Sequence, residues 1–211
     1  MAIVQNPIVG RAIGKVANSV FTKWKGRNIW KSKAISVSNP QTDGQLKQRA
    51  RFSIIVRLAS IFLSIIRLGM KEQAGDKTEA NAFNSINQRN QFLTWDGTQW
   101  VQDLSKLEIS KGSLDPTAVV ASGVTNGSSA IVLTFANTAS GNQSLGDKLS
   151  AVVMNGDDVV VVSEAVSRNA GTYSVAMPNA LATADEVTIL TFFSSADGKK
   201  ASNNTAEQVT V

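Results

Sequence analysis

The sequence predicts an α+β chain: an N-terminal β-hairpin and long helix, followed by a C-terminal immunoglobulin-like antiparallel β-sandwich. Three observations predict it. Apolar residues fall at even spacing on both sides of a Lys-Gly turn within residues 15–35. An apolar stretch with its polar residues at helical steps runs from Thr42 to Gly69. From about Leu104 onward, short β-rich runs recur roughly every ten residues between turn signals. The expected division is a basic hairpin and helical assembly domain over 1–103 and a sandwich over 104–211.

In the hairpin, Val16, Val20 and Trp24 share one face, Lys25-Gly26-Arg27 makes the turn, and Asn28 to Ile35 returns with Trp30 alternating against Lys31 and Lys33. Asn39-Pro40 ends the strand. Thr42 and Gln45 have the spacing of a capping box, Asp43 suits the positive helix end, and Gly69 is a stop. That gives about 26 residues, or roughly 40 Å of helix. Residues 76–93 read as a second helix with Ala80, Phe83, Ile86 and Phe92 on its inner side, and Trp95 to Trp100 as a tight turn between two aromatic anchors. Strands are expected near 106–110, 118–122, 129–136, 148–154, 158–164, 171–177, 186–194 and 206–211, with turns at Asn126-Gly127, Asn155-Gly156, Asn169-Ala170-Gly171 and Asp197-Gly198. The run Val159 to Val162 has the composition of a central strand buried on both faces.

The long helix inverts the usual surface pattern. Arg49, Ser53, Arg57, Ser60, Ser64, Arg67 and Lys71 form a single polar stripe, and nearly everything else from Phe52 to Leu68 is apolar. Such a helix must be enclosed on most sides, by its own chain, by other subunits or by lipid. A membrane span is not expected, because the longest charge-free run, Leu58 to Ile66, falls far short of the roughly 20 residues a span requires.

Composition narrows the chemistry. The 211 residues include no histidine and no cysteine, which excludes an imidazole base, a Ser-His-Asp triad, a thiol nucleophile, a disulfide and His/Cys-ligated metals. The net charge of +5 hides a split: residues 1–71 carry 13 Lys/Arg against the single acid Asp43, and residues 72–211 carry a net −7. The first part is therefore expected beside something anionic: nucleic acid, lipid or the acidic half of a neighbouring copy. The opening Met1 to Pro7 lacks the charged and apolar regions of a secretory signal, so synthesis is expected in the bacterial cytoplasm.

Several runs carry a resemblance: Gly14-Lys15-Val16 through Lys23-Trp24-Lys25-Gly26, Asn39-Pro40-Gln41-Thr42 through Arg49-Ala50-Arg51-Phe52, Ile109 to Leu114, and Phe192 to Lys199 with Ser202-Asn203. In this order they resemble an uncharacterised family of Bacteroidota proteins described only as a domain of unknown function. The resemblance implies no activity, catalytic residue or cofactor. More loosely, the layout is similar to small virion proteins of phages that join a basic hairpin-and-helix base to an immunoglobulin-like module.

These readings make the chain a non-enzymatic structural protein, expected in several copies in a virion or phage-like particle, with copies of itself and other particle proteins as partners. The interface residues expected are Trp24, Trp30, Arg49, Arg57, Ile61, Phe62, Ile65 and Arg67. The alternative is a nucleic-acid-binding protein. Lys23, Lys25, Arg27, Lys31 and Lys33 lie within eleven residues, interleaved with two tryptophans able to stack on bases. Asp157-Asp158 and Asp185-Glu186 offer oxygen ligands but read as solvated turn residues, so no metal or other cofactor is expected.

Overall fold

The computed structural model describes residues 2–3, 13–34, 36, 38–156 and 158–211. Two compact units emerge, residues 1–46 and 47–211.

In the N-terminal unit, β1 (Ala2–Ile3), β2 (Gly14–Val16), β3 (Ser19–Trp24) and β4 (Arg27–Ser32) form an antiparallel sheet in the order β1-β4-β3-β2. The hairpin closes at Lys25-Gly26, where both residues have positive φ, 44° and 81°. Those are the angles of a two-residue turn whose twist matches the strands. The expected hairpin is present, except that Ala17-Asn18 splits off β2 as a strand of its own and Ile35 lies outside the described residues.

The larger unit is built on one sheet. Its helices are α1 (Asp43–Ile61, whose first turn belongs to the N-terminal unit), α2 (Leu63–Gly69), α3 (Lys71–Ala74) and α4 (Glu79–Asn87). A small hairpin, β5 (Leu93–Trp95) and β6 (Trp100–Gln102), follows, and then β7 (Val119–Ser122), β8 (Ala130–Phe135), β9 (Lys148–Asn155), β10 (Asp158–Ser167), β11 (Thr172–Ala176), β12 (Glu186–Ser194) and β13 (Thr205–Thr210). The last seven make two antiparallel sheets, β10-β9-β12-β13 and β11-β8-β7.

Period-two alternation gives the four-stranded sheet two apolar faces. Leu149, Ala151, Val153, Val187, Ile189 and Phe193 meet Ile131, Leu133, Phe135 and Val175 of the other sheet in one core. Val152, Met154, Leu190 and Phe192 point the other way, into a second core with Ile55, Ala59, Phe62, Ile65, Ile66, Met70 and Phe83. The unit is thus three layers deep, helices on sheet on sheet.

Three expectations need correction. The single rod from Thr42 to Gly69 is two helices, bent by 87° at Phe62. No proline or glycine marks the bend; α2 turns so that Ile65 and Ile66 enter the core against Val152, Leu190 and Phe192 of the sheet. Gly69 serves close packing, since a Cβ there would lie 2.7 Å from the Ser110 Cβ and 2.8 Å from the Ile109 carbonyl. The strand expected at 106–110 is absent: Leu104–Lys106 form a 3-10 turn, and Leu107 and Ile109 reach the helix-side core without pairing in a sheet. Finally, Val159 to Val162 lie in an edge strand, not a central one.

Among the described residues no single helix is long and apolar enough to cross a membrane. Only α1 and α2 taken together are, across their bend.

Candidate functional site

The outward side of α1 is the most unusual surface of the larger unit. Helical spacing turns Ile54, Ile55, Leu58, Ala59 and Phe62 inward, while Arg49, Ser53, Arg57 and Ser60 run down the exposed side. Ser64, Arg67 and Lys71 are exposed as well. Apolar side chains remain in water along this polar stripe: Phe52 is 48% exposed, Ile61 42%, and Val56 and Leu63 36% each. Arg57 and Arg67 have no hydrogen-bond or ion-pair partner among the described residues.

The start of α1 is held by the β5–β6 hairpin. Its turn is fixed by Asp96, whose Oδ1 accepts from the backbone N–H of Thr98 and of Gln99, each at 2.7 Å. Those two bonds hold the Asp96 carboxyl below its usual pKa, Gln99 contributing most. The hairpin presents Trp95 and Trp100 edge to face, with centroids 5.5 Å apart. Lys47 lies 4.6 Å from the Trp95 ring centre and Arg51 5.4 Å from that of Trp100. Trp100 donates its indole N–H to the Lys47 carbonyl at 3.0 Å, and Arg51 donates to the Gln88 carbonyl at 2.8 Å. Two aromatics and two cations therefore fasten α1 along its side, leaving its opposite face open.

Between α1 and the β9–β10 hairpin lies a half-open groove of about 330 Å³, bordered by Ile54, Arg57, Ile61, Met154, Gly156 and Val159.

Of the expected interface residues, Arg49, Arg57, Ile61 and Arg67 lie on this accessible side. Phe62 and Ile65 do not: both are fully buried in the chain's own core, out of reach of any partner. Phe52, Val56 and Leu63 are exposed apolar residues that the expected set does not contain. Spacing relative to the inward set Ile55, Ala59 and Phe62 is the signal that would have found them.

The N-terminal sheet separates the cations expected to act together. Its register places Lys15 and Lys31 on either side of Val20, and Trp24 opposite Arg27, all on one face. Lys23 lies on the other face with Phe21 and Trp30, whose rings stack 5.7 Å apart at 11°. Lys25 is in the turn, 5.5 Å from the Trp24 ring centre, and Lys33 follows the last strand. Trp24 and Trp30 stay 41% and 46% exposed.

The carboxylates have structural work. Asp158 accepts from the Asn179 amide at 2.8 Å, and Asp185 from Asn155 and from the Ala182 N–H, both at 2.8 Å. Asp157 lies outside the described residues. Among those described, no three potential metal ligands cluster.

A family model of unknown function, DUF6266, matches residues 11–206. The chain belongs to that family. No curated protein matches it significantly. Within this DUF6266 chain the matched span takes in β2 to β12, the outward side of α1 and the first two residues of β13.

Proposed function

We propose that the chain is a non-enzymatic assembly protein, present in several copies in a phage or phage-like particle. The carrying observation is the outward side of α1 with the start of α2, where Phe52, Val56 and Ile61 of α1 and Leu63 of α2 stay partly in water, and Arg57 and Arg67 have no partner among the described residues. The occupant fitting this surface is a second copy, because the +12 of residues 1–71 is complementary to the −7 of the remainder. The strand order of the two sheets, β7-β8-β11 against β10-β9-β12-β13, supports reading the sandwich as immunoglobulin-like.

Magnitudes bound the idea. The four apolar side chains leave roughly 300 Å² in water, a gross gain of ~8 kcal/mol if covered. Association itself costs about 4–15 kcal/mol. This face therefore needs help from charge or from a further contact surface.

The test is native mass by light scattering on the full chain. Multiples of 22.4 kDa are expected, falling when Ile61→Asp and Phe52→Asp are introduced together while the circular dichroism spectrum is retained. A wild-type chain that stays single at every concentration overturns the reading.

A second reading is favoured by one observation, the face carrying Lys15, Lys31, Arg27 and an exposed Trp24. It has the cation-plus-aromatic make-up of a single-strand nucleic-acid surface. Neutralising three phosphates would give a log affinity against log salt slope of about −2, reduced by Lys15→Gln and Lys31→Gln. No gel shift of a single strand at low salt ends that reading.

A further inference from the structure

β10 has the composition of a strand flanked on both sides, yet it stands at the edge of its sheet. Val159 and Val161 face the helix-side core, and Val160 and Val162 face the core between the sheets. All four are only half-buried. Their partners across the ladder, Met154, Val153, Val152 and Ala151, are buried. The difference has one geometric source: among the described residues β9 has a neighbour on each side and β10 has one.

Edge strands are ordinarily protected by lysine, proline, a bulge or a covering segment. The opposite edge, β13, is covered in this way, with Glu207 accepting from the Ala121 N–H of β7 at 2.8 Å. On β10 the protection starts only past Ser163. There the register shifts between Val162 and Val166, Glu164 takes φ +48°, and its N–H is held by the Ser150 hydroxyl at 3.0 Å. Residues 158–163 contain neither lysine nor proline.

We propose that this edge is completed by β10 of a second copy, the two strands pairing antiparallel about a two-fold axis to join two four-stranded sheets into one of eight. The segment is complementary to itself. Centred on Val160, the pairing sets Val160 against Val160, Val159 against Val161, and Asp158 against neutral Val162, each pair on one face of the sheet, so like charges do not meet. The paired stretches bury roughly 800 Å² in total, short of the ~1,200 Å² at which stable interfaces begin. The shortfall lies next door, since Val159 and Gly156 share their groove with Arg57 and Ile61 of the outward helix face. The inference rests on the multi-copy reading and uses the strand edge that adjoins the helix face; the distance across β10 lets the two fail separately.

The absence of cysteine makes the test direct. Ser163 is exposed, so Ser163→Cys accepts one nitroxide label per chain. An antiparallel pair with this centre puts the two labels about 20 Å apart, from strand rise and spacing. Pulsed dipolar spectroscopy on the assembled full chain should show that distance, and dilution with unlabelled chain should remove it. Val160→Lys with Val161→Lys sets lysine against lysine at the centre and should abolish the distance. Should that double variant fail to fold, the label on Ser163→Cys alone still decides. Ile61→Asp with Phe52→Asp in the labelled chain separates the surfaces. A dimer that keeps the ~20 Å distance supports β10 pairing even where the helix-face reading fails. Assemblies lacking the distance, or a chain that is always single, overturn the β10 pairing.

Discussion

Phe62→Ala is expected to destabilise the unit of residues 47–211 by about 3–5 kcal/mol, the usual loss for truncating a buried phenylalanine. Phe62 sits at the bend between α1 and α2 and is fully buried. Its ring belongs to the core formed with Ile55, Ala59, Ile65 and Ile66 on one side and Val152, Leu190 and Phe192 of the sheet on the other. Phe62 closes one helix and opens the next: its N–H bonds the Leu58 carbonyl at the end of α1, and its carbonyl accepts the Ile66 N–H at the start of α2, both 2.9 Å. The corner between the two helices is held by the packing of its side chains. Removing the ring takes away both the buried area and the anchor of the corner. Equilibrium urea unfolding reads the effect as a lower midpoint. Ile61→Asp, one residue earlier and 42% exposed, should cost clearly less than Phe62→Ala. Equal losses for the two would refute the placement of α1.

Asp147→Ala is expected to cost about 3–5 kcal/mol, because it leaves a buried cation without its counter-charge. Arg168 is fully enclosed, Asp147 nearly so, and the guanidinium Nη2 lies 3.7 Å from the carboxylate. Its Nη1 donates to the Thr117 hydroxyl and its plane lies 4.1 Å from the Phe193 ring centre, while Nε and Nη2 have no hydrogen-bond partner. Burial pushes the Arg168 pKa down and Asp147 pushes it back up, leaving it below the usual arginine value. The arginine needs the carboxylate more than the fold needs the pair. Asp147 has other duties, accepting the Ser144 N–H at 2.7 Å. The double variant Asp147→Leu with Arg168→Met should accordingly recover most of the loss. Thermal unfolding of the single and double variants checks it: additive losses would mean the two side chains do not act as a pair.

Much of the fold was legible because its signals are local. Lys25-Gly26 and Asn155-Gly156 carry turn residues whose conformation hardly depends on surroundings, and seven of the eight expected β runs are strands. What escaped depends on distant packing. Nothing around Phe62 announces a bend, because its cause is a sheet contributed by residues more than eighty positions later. Leu107 and Ile109 alternate like a strand, but alternation reports which side chains are buried and not whether the backbone finds a ladder. Val159 to Val162 report two covered faces truthfully and say nothing of the strand's sides. For the candidate site, the polar stripe from Arg49 to Arg67 was readable, whereas the inward course of Phe62 and Ile65 was not, since a helix apolar on most sides does not reveal which side its own chain covers.

The middle layer also limits what can be moved. A fragment beginning at residue 104 would keep every strand of the two large sheets yet strip the cover from Val152, Met154, Leu190 and Phe192. The sandwich is therefore not a cassette that can be cut out and grafted elsewhere. Evolution and engineering alike must carry the helices with it, or replace them with another apolar roof.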